Sequence, residues 1–332
     1  MLTGTSASFS QNKEEQISGK PALDIVIVDY NAGQLIRECL ESVVAHPPKS
    51  ITIGGVVVVD NASSDMTAEY IKGLDLPLHS IRNEQNRGFA AACNQGAAGS
   101  TADYLLFLNP DTRLMEGSLD VPSLFLDNAK NQSIGIVGIQ LLDDDGQVSR
   151  TCGYHPRLMH FINKALGLSH VSPAFFPSGM MLEWDHSKSR QVEGVMGAFY
   201  FIRRSLFETL KGFDERFFVY FDETDFGLRA EQMGYRSYYL AEAQAYHYGG
   251  GTSEKVKAHR LFYSLQSRIR YGYKHFNWFS ATMLLLVTLF IEPVSRLCLA
   301  IAHRSAGEMK ETMLGYAMLW SSLPKTLHSV IR

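Results

Sequence analysis

Along residues 24–108 the chain repeats one pattern: a short apolar run, a polar cluster, then an amphipathic stretch. Residues 25–28 give a buried-strand signal. Leu35, Ile36, Cys39, Leu40, Val43 and Val44 then recur at helical spacing, with Gln34, Arg37, Glu38 and Glu41 on the opposite face. Residues 56–59 are four consecutive valines, the signature of a parallel strand covered on both sides. A helix carrying Met66, Ile71 and Leu74 is expected next, capped by Ser63 or Ser64. A third strand at 78–82, a small-residue helix at 88–98 and a fourth strand at 104–108 continue the alternation. Strands alternating with helices predict an α/β fold, a mostly parallel sheet flanked by helices on both faces.

Such sheets bind ligands beyond the carboxyl ends of their strands. The first strand here ends in Asp29-Tyr30-Asn31, the second in Asp60-Asn61-Ala62-Ser63 and the fourth in Asn109-Pro110-Asp111. A single carboxylate after a strand can be a plain helix cap. Three polar clusters at three strand ends point instead to one binding edge.

Beyond Asp111 the alternation loosens. Residues 134–142 read as a strand running into the Asp143-Asp144-Asp145-Gly146 turn. The stretch from about 151 to 190 mixes Gly, Pro, Met and aromatics without a period, and a connection of that length is where acceptor contacts are expected. A second ordered block follows, with a helix over 223–233 stopped by Gly234 and a strand over 235–240.

Composition narrows the class. The chain has 332 residues, 45% of them hydrophobic and 20% charged, which excludes disordered, collagenous and disulfide-stapled proteins. A net charge of -3 gives no case for nucleic-acid binding. Four scattered cysteines form no C-x-x-C pair, so metal or redox spacing is absent and a reduced compartment is expected. Residues 1–21 lack the features of a secretory signal and read as a disordered leader.

The average hides an apolar C-terminal segment. Its longest charge-free part, 276–291, is 16 residues, short of the ~20 that span a bilayer as a helix. Glu292, Pro293 and Arg296 are expected to interrupt it, and a second amphipathic stretch runs over 313–331 with Trp320 and Lys325. Arg260, Arg268, Arg270, Lys274 and His275 place positive charge at the entrance. This pattern favours helices lying at a membrane interface over an extension packed on the rest of the protein or between copies of it, and both over a single transmembrane span.

The motifs, taken in order, resemble family 2 glycosyltransferases, in the branch containing bacterial rhamnosyltransferases that build surface polysaccharides. They are VIVDYN, VVVVDNASSD, NEQNRGFAAACNQG, YLLFLNPDTRL, VMGAFYFIRRS, GFDERFFVYFDETDFGLRAEQMGYR and YHYGGGTS. The resemblance implies a GT-A (Rossmann-like) domain over 22–255 with a helical extension over 256–332. It also implies a nucleotide-sugar donor, a divalent cation (Mg2+ or Mn2+) and inversion at the anomeric carbon. Candidate donors are dTDP-rhamnose, UDP-sugars and GDP-sugars. The implied acceptor is a glycan or a polyprenyl-linked glycan, reached from the cytoplasmic face of the cell membrane; self-association stays open.

Site residues follow from the same matches. Asp111 is the acid of the family's D-x-D-like motif, where the first position here is the uncharged Asn109, so one carboxylate and the donor's phosphates carry the metal. His247 aligns with a late histidine that reaches metal or diphosphate, although a histidine between two tyrosines can equally be a packed side chain. Asp60, Tyr30 and Asn31 are assigned to the nucleotide, with Asn86, Arg87 and Gly88 beside it; Arg87 can equally be a solvated loop residue. The acidic pair is Asp222-Glu223, with Glu223 as general base and Asp222 as the alternative, against a reading in which Asp222 caps a helix. A sugar nucleotidylyltransferase is disfavoured by the missing glycine-rich loop after the first strand. A catalytically inactive nucleotide-sugar-binding or assembly subunit is the remaining alternative.

Overall fold

The structure is a computed structural model that describes residues 19–249 and 257–331; the leader, apart from its last residues, and positions 250–256 lie outside the described residues. The chain runs β1 (Ala22–Asp29), α1 (Gln34–Ala45), β2 (Thr52–Asp60), a single turn α2 (Thr67–Tyr70), β3 (Leu78–Arg82), α3 (Phe89–Ala97) and β4 (Tyr104–Leu108). It continues with β5 (Thr112–Leu114), α4 (Asp120–Asp127), β6 (Ile134–Leu142), α5 (Leu158–Ala165), α6 (Leu168–Val171), β7 (Arg190–Val192) and β8 (Phe199–Arg203). Then come α7 (Arg204–Thr209), α8 (Asp222–Gln232), β9 (Arg236–His247), α9 (Lys257–His275), α10 (Trp278–Leu286), α11 (Glu292–Ala302) and α12 (Ala306–Ile331).

The strands form one sheet in the order β3-β2-β1-β4-β8-β6-β9-β5, with β7 also paired to β9. The pairs β1–β2, β1–β4, β2–β3 and β6–β9 are parallel, and β8, β5 and β7 run against their neighbours. Alternate residues of one strand serve two cores. Ile25 and Ile27 pack with Ile36, Leu40 and Val43 of α1 on one face. Val26 and Val28 pack with Ala90, Ala92 and Cys93 of α3 on the other. The continuous apolar runs read in the sequence are therefore buried on both sides, as a parallel sheet requires.

Several sequence expectations change here. No serine caps α2; Ser63 is spent on the strand-end carboxylates described below, and the helix is a single turn starting after Met66. The aperiodic stretch after 151 contains α5 and α6. Strand β9 extends to His247 instead of stopping near 240. Helix α8 begins at Asp222, with Phe221 rather than Asp222 in the N-cap position.

The C-terminal segment departs most. Residues 278–302 form one uninterrupted helix, passing from α10 through a π-helical turn (Val287–Ile291) into α11, with Pro293 in the first turn of α11. A proline costs no hydrogen bond where the ladder is already displaced by the π turn. Among the described residues this is the one helix long and apolar enough to cross a membrane, by length and composition, and only a third of its most apolar window is buried. Its other expected interruption, Glu292, turns inward onto Arg268 and Arg296. Leu265, Ile269, Leu289, Tyr316 and Leu319 give the extension a small core of its own.

Phe226 carries α8 on the sheet: it is fully buried and meets Tyr200, Phe207 and Phe213 with ring centroids 5.1–6.1 Å apart. Truncation of a buried phenylalanine costs about 3–5 kcal/mol. Phe226→Ala should therefore lower the urea midpoint strongly, as read by circular dichroism.

Candidate active site

Because β1 and β2 are parallel and in register, Asp29 lies directly opposite Asp60 at their carboxyl ends. The two carboxylates have different fates. Asp29 is fully buried and accepts hydrogen bonds from Ala32 N, Ser63 Oγ and Thr67 Oγ1. Burial pushes its carboxyl up, against the Thr67 and Ala32 hydrogen bonds. It organises the turn rather than facing a ligand. Asp60 accepts from Ser63 N at 2.7 Å and pairs with the half-exposed Arg82 at 3.3 Å.

Tyr30 is exposed at this edge, and Asn31 adopts a left-handed backbone (φ 58). That turn is held from both sides: Asn31 N donates to Ser63 Oγ, and Asn31 Oδ1 accepts from Ser64 N and Oγ. The strand-end serines thus lock the β1 turn onto the β2 turn.

Asn61 joins the third cluster. Its Nδ2 donates to Asn86 Oδ1 at 2.9 Å and to the Gly88 carbonyl at 3.2 Å, while its Oδ1 accepts from Arg87 N at 3.0 Å. Asn86, Arg87 and Gly88 are thereby drawn to the end of β2. Gly88 has φ 86, and a Cβ there would sit 2.5 Å from the Phe218 carbonyl, so the loop admits no side chain. Phe89 N donates to the same carbonyl at 2.6 Å. The start of α3 is in this way fastened to the segment that leads into α8.

The Asn109-Pro110-Asp111 cluster reaches the same region. Asn109 N donates to the Ala198 carbonyl at 3.0 Å. Its neighbour Gly197 faces Glu223: a Cβ on Gly197 would lie 3.7 Å from Glu223 Cβ. One backbone step therefore separates the strand-end asparagine from the acidic pair. Pairing of β5 with β9 sets Thr112 opposite His247, and His247 Nε2 then sits 3.4 Å from Asp111 Oδ1 without forming a hydrogen bond. That oxygen is buried and otherwise unpartnered. A buried carboxylate oxygen beside an imidazole nitrogen suits a divalent cation. Among the described residues no three His, Cys, Asp or Glu side chains come together for a metal, so oxygens from a bound ligand would have to complete the coordination.

Asp222 and Glu223 open α8. Tyr220 and Phe221, just before them, both have positive φ (65 and 67), an arrangement that persists only where surroundings enforce it. The Phe221 ring packs on Phe161 and Tyr271, and Ser267 of α9 donates to the Val219 carbonyl at 2.8 Å. Asp222 is buried with Oδ2 unpartnered, and burial, then the charge of Glu223, pushes its carboxyl well up. Burial also raises Glu223, opposed by backbone hydrogen bonds and by Asp222. The pair thus holds a proton, preferentially on Asp222, at pH values where exposed carboxylates have lost theirs.

Three residues on, Asp225 is fully buried and bound by two cations, Arg229 at 2.8 Å and Lys274 at 2.5 Å, and by the ring Nε2 of His275 at 2.7 Å. Lys274 also reaches Asp214 at 2.6 Å, which Arg216 holds from the other side. The last turn of α9 is thus clamped onto the first turn of α8. Residues at the site that the sequence did not single out are Asn61, Phe218, Asp225, Lys274, His275 and Tyr263. The ring of Tyr263 stacks on Phe218 at 4.5 Å, and its hydroxyl is pushed up by burial and then by Tyr30. Only Asn61, inside the second strand-end cluster, had a local signal. A separate open hollow of about 820 Å³, lined by residues such as Glu41, His46, Arg113 and Tyr246, shares no residue with this site.

Comparison with known proteins agrees with this architecture. The profile described as Glycosyl transferase family 2 matches residues 24–211. The chain is 25% identical over 279 residues to an N-acetylglucosaminyl-diphospho-decaprenol L-rhamnosyltransferase of Mycobacterium tuberculosis, covering 79% of this chain and 87% of that one. It is 23% identical over 257 residues to rhamnosyltransferase WbbL of Escherichia coli K12, covering 74% and 91%. In fold it is similar to the mannosyltransferase PcManGT from Pyrobaculum calidifontis, solved with GDP-Man and Mn2+, with a TM-score of 0.55, 18% identity and coverage of 93% and 88%. It is also similar to Staphylococcus aureus TarS residues 1–349, with a TM-score of 0.52, 14% identity and coverage of 93% and 83%. The sheet and its flanking helices are those of a GT-A fold.

The clamp has a pH signature. Burial would raise Asp225, but the His275 hydrogen bond, Arg229 and Lys274 outweigh it and hold the carboxyl below its usual range. Asp214 is likewise held low, with Arg216 and Lys274 overcoming burial. A depressed folded-state pKa contributes stability above the unfolded value and loses it as pH falls through the folded one. The denaturation midpoint should therefore drop steadily as pH falls below the ordinary carboxylate range. Asp225→Asn should lose about 3–5 kcal/mol at neutral pH, from cations left unpaired, and flatten that acid limb.

Proposed function

The chain belongs to glycosyl transferase family 2, in its rhamnosyltransferase-like branch, and from that premise we propose that it is an inverting, metal-assisted hexosyltransferase of cell-surface polysaccharide synthesis. It would move a sugar, rhamnose first among the candidates, from a nucleotide-sugar donor to a hydroxyl of a glycan or polyprenyl-linked acceptor. The single observation that carries the reading is the acidic pair opening α8, with Asp222 buried and the half-buried Glu223 facing Gly197, whose neighbour Ala198 accepts a backbone hydrogen bond from Asn109, two residues before Asp111. Two relatives similar over most of the chain are named rhamnosyltransferases, one of them for a diphospho-decaprenol acceptor.

In this reading Tyr30, Asn31 and Asp60 take the nucleoside, and Asn86, Arg87 and Gly88 border its phosphates. Arg87 keeps its side chain available because its backbone, not its guanidinium, is tied to Asn61. Asp111 and His247 would hold the divalent cation, Mg2+ or Mn2+, which neutralises charge growing on the leaving diphosphate when it is bound. One carboxylate and one imidazole bind such a cation weakly, so donor and cation should enter together.

Glu223 removes the proton of the acceptor hydroxyl as that oxygen attacks the anomeric carbon. The bond from that carbon to the diphosphate oxygen breaks, and its electron pair leaves with the nucleoside diphosphate. Attack from the face opposite the leaving group inverts the carbon. Asp222, raised further by burial and by its neighbour, keeps a proton and leaves Glu223 as the ionised partner. The Glu223 carbonyl is anchored by Tyr200 Oη at 3.2 Å, which fixes the turn that presents the base.

The exposed apolar side of the long C-terminal helix supports a peripheral position on the cytoplasmic face of the cell membrane, where a polyprenyl-linked acceptor would be met.

A thermal-shift screen of dTDP-rhamnose, UDP-sugars and GDP-sugars with and without Mn2+ tests the donor. A ligand at a hundred times its Kd should stabilise by about 2.7 kcal/mol. Donor binding without turnover under any acceptor condition would favour a nucleotide-sugar-binding assembly subunit. Glu223→Gln should lower kcat by about 10²–10⁴-fold. Asp222→Asn should cost less and leave an acid limb lying above the ordinary carboxylate range, since Glu223 must ionise to act; the reverse ranking would transfer the base role to Asp222. Asp111→Ala should abolish the Mn2+ dependence of turnover, and retained dependence would move the metal elsewhere.

A further inference from the structure

The end of α5 meets α11 in a hydrogen bond from Ser295 Oγ to the Ala165 carbonyl. The residues beside that bond, Lys164 and Arg296, are thereby brought to the same rim. Beneath them Arg268 and Glu292 are buried, and Glu292 accepts from both guanidinium groups of Arg268 and Arg296. Burial would raise Glu292, and the two arginines instead hold it at about 2, so it stays ionised. Two arginines thus share one carboxylate, which leaves positive charge in excess before Lys164 is counted. The Lys164 side chain has no hydrogen-bonding or ion-pair partner among the described residues, and desolvation, then repulsion from Arg268, pushes its ammonium pKa down.

The surface around this surplus charge is apolar. Leu166 and Val294 adjoin the Ser295–Ala165 contact, Ile291 lies one turn away, and Phe290 packs edge-on to Trp320; all are exposed or half-exposed. Further along the same helix, Trp278 and Phe279 are 74% and 70% exposed. Excess positive charge at the rim of a hydrocarbon-like face is complementary to an anionic head on an apolar tail, and not to a neutral protein surface. The rim also leads inward. Arg268 stacks over Phe161 at 5.4 Å, and Phe161 packs on Phe221, which precedes the Asp222-Glu223 pair.

We propose that Lys164 and Arg296 seat the phosphate of a phosphate- or diphosphate-bearing lipid whose chain lies along the exposed face of α10 and α11. The inference rests on the acceptor reading above and deepens it, by naming which side chains take the head of the lipid and on which flank of the base it arrives. The occupant is a polyprenyl phosphate, because the rim leads through Arg268 and Phe161 to Phe221 beside the acidic pair; an anionic phospholipid offers the same head and is an outcome of the test.

Cosedimentation of the full chain with three vesicle types tests it: phosphatidylcholine alone, phosphatidylcholine with phosphatidylglycerol, and phosphatidylcholine with a polyprenyl monophosphate. Binding should be tightest to the polyprenyl type; equal binding to both phosphate-rich types would give the face to bulk phospholipid and overturn the acceptor seat. Lys164→Gln should lose on the order of tenfold of that preference while keeping the residual affinity for phosphatidylcholine. Lys164→Arg should restore the preference, which a merely structural lysine would not predict. Arg296→Gln disturbs buried Glu292, so the Lys164 pair decides. Equal binding to all three vesicles, a Lys164→Gln variant indistinguishable from wild type, or burial of the face in a stable dimer that binds no vesicle would overturn the proposal. Headgroup discrimination without turnover of any donor would remove the transferase reading and leave the seat standing; turnover without discrimination would do the reverse.

Discussion

A carboxylate with no exposed surface must be matched by charge where it lies, and at Asp225 the match comes from elements far apart in the chain. Arg229 lies one turn along α8, whereas Lys274 and His275 end α9. The clamp makes the C-terminal extension part of the frame of the site. It fixes the first turn of α8, and with it the left-handed Tyr220 and Phe221 that aim Asp222 and Glu223 toward Gly197. Ser267 on Val219 and Tyr271 on Phe221 hold the same loop from the same helix. Tyr263, a few turns earlier on α9, stacks on Phe218, whose carbonyl holds the start of α3. One helix therefore borders both ends of the cleft.

What could be read from the chain was whatever depends on local pattern. The valine run of β2, the amphipathic α1 and the polar clusters after β1, β2 and β4 were all legible, because strand burial on both faces and the position of strand ends are written in short windows. What failed depended on partners distant in sequence. Ser63 reads locally as a helix cap, but parallel pairing of β1 with β2 offers it Asp29, which competes better. Glu292 and Pro293 read as a break in an apolar run. Two arginines remove the charge from the surface and a π turn absorbs the proline, so the helix continues. Nothing near Lys274 indicates that it will meet Asp225 and Asp214. Around the candidate site, the motif residues are written in short windows, while the residues that hold them in place are not.

The Asn109-Pro110-Asp111 sequence shows how topology compensates for a missing charge. With asparagine first, the strand end supplies a single acid. The antiparallel β5–β9 pair then places His247 across from Thr112, within 3.4 Å of that acid. Because β9 is also the parallel neighbour of β6, the histidine is delivered by the sheet itself and not by a flexible loop. If this pair holds a cation as proposed, its affinity would depend on the oxygens that the donor brings, so donor and cation would be coupled by the same shortage of ligands.

If Glu223 acts as the base, the burial of Asp222 beside it imposes a further requirement on the acceptor. A base raised by desolvation works best where water is excluded, and a hydroxyl that reaches it must itself pass through a dry approach. The aromatic path from Phe221 through Phe161 to the Arg268–Glu292 pair is such an approach on one flank, and it ends at the apolar face of α10 and α11. A freely soluble glycan would gain nothing from that flank, since its hydroxyls would lose water against rings that offer no hydrogen bonds in return. A lipid-linked acceptor resolves the mismatch, because its apolar chain and its phosphate have separate places to rest while only the terminal sugar enters. The same α9 that clamps α8 also carries Arg268, so the proposed lipid seat and the proposed base are fastened to one helix.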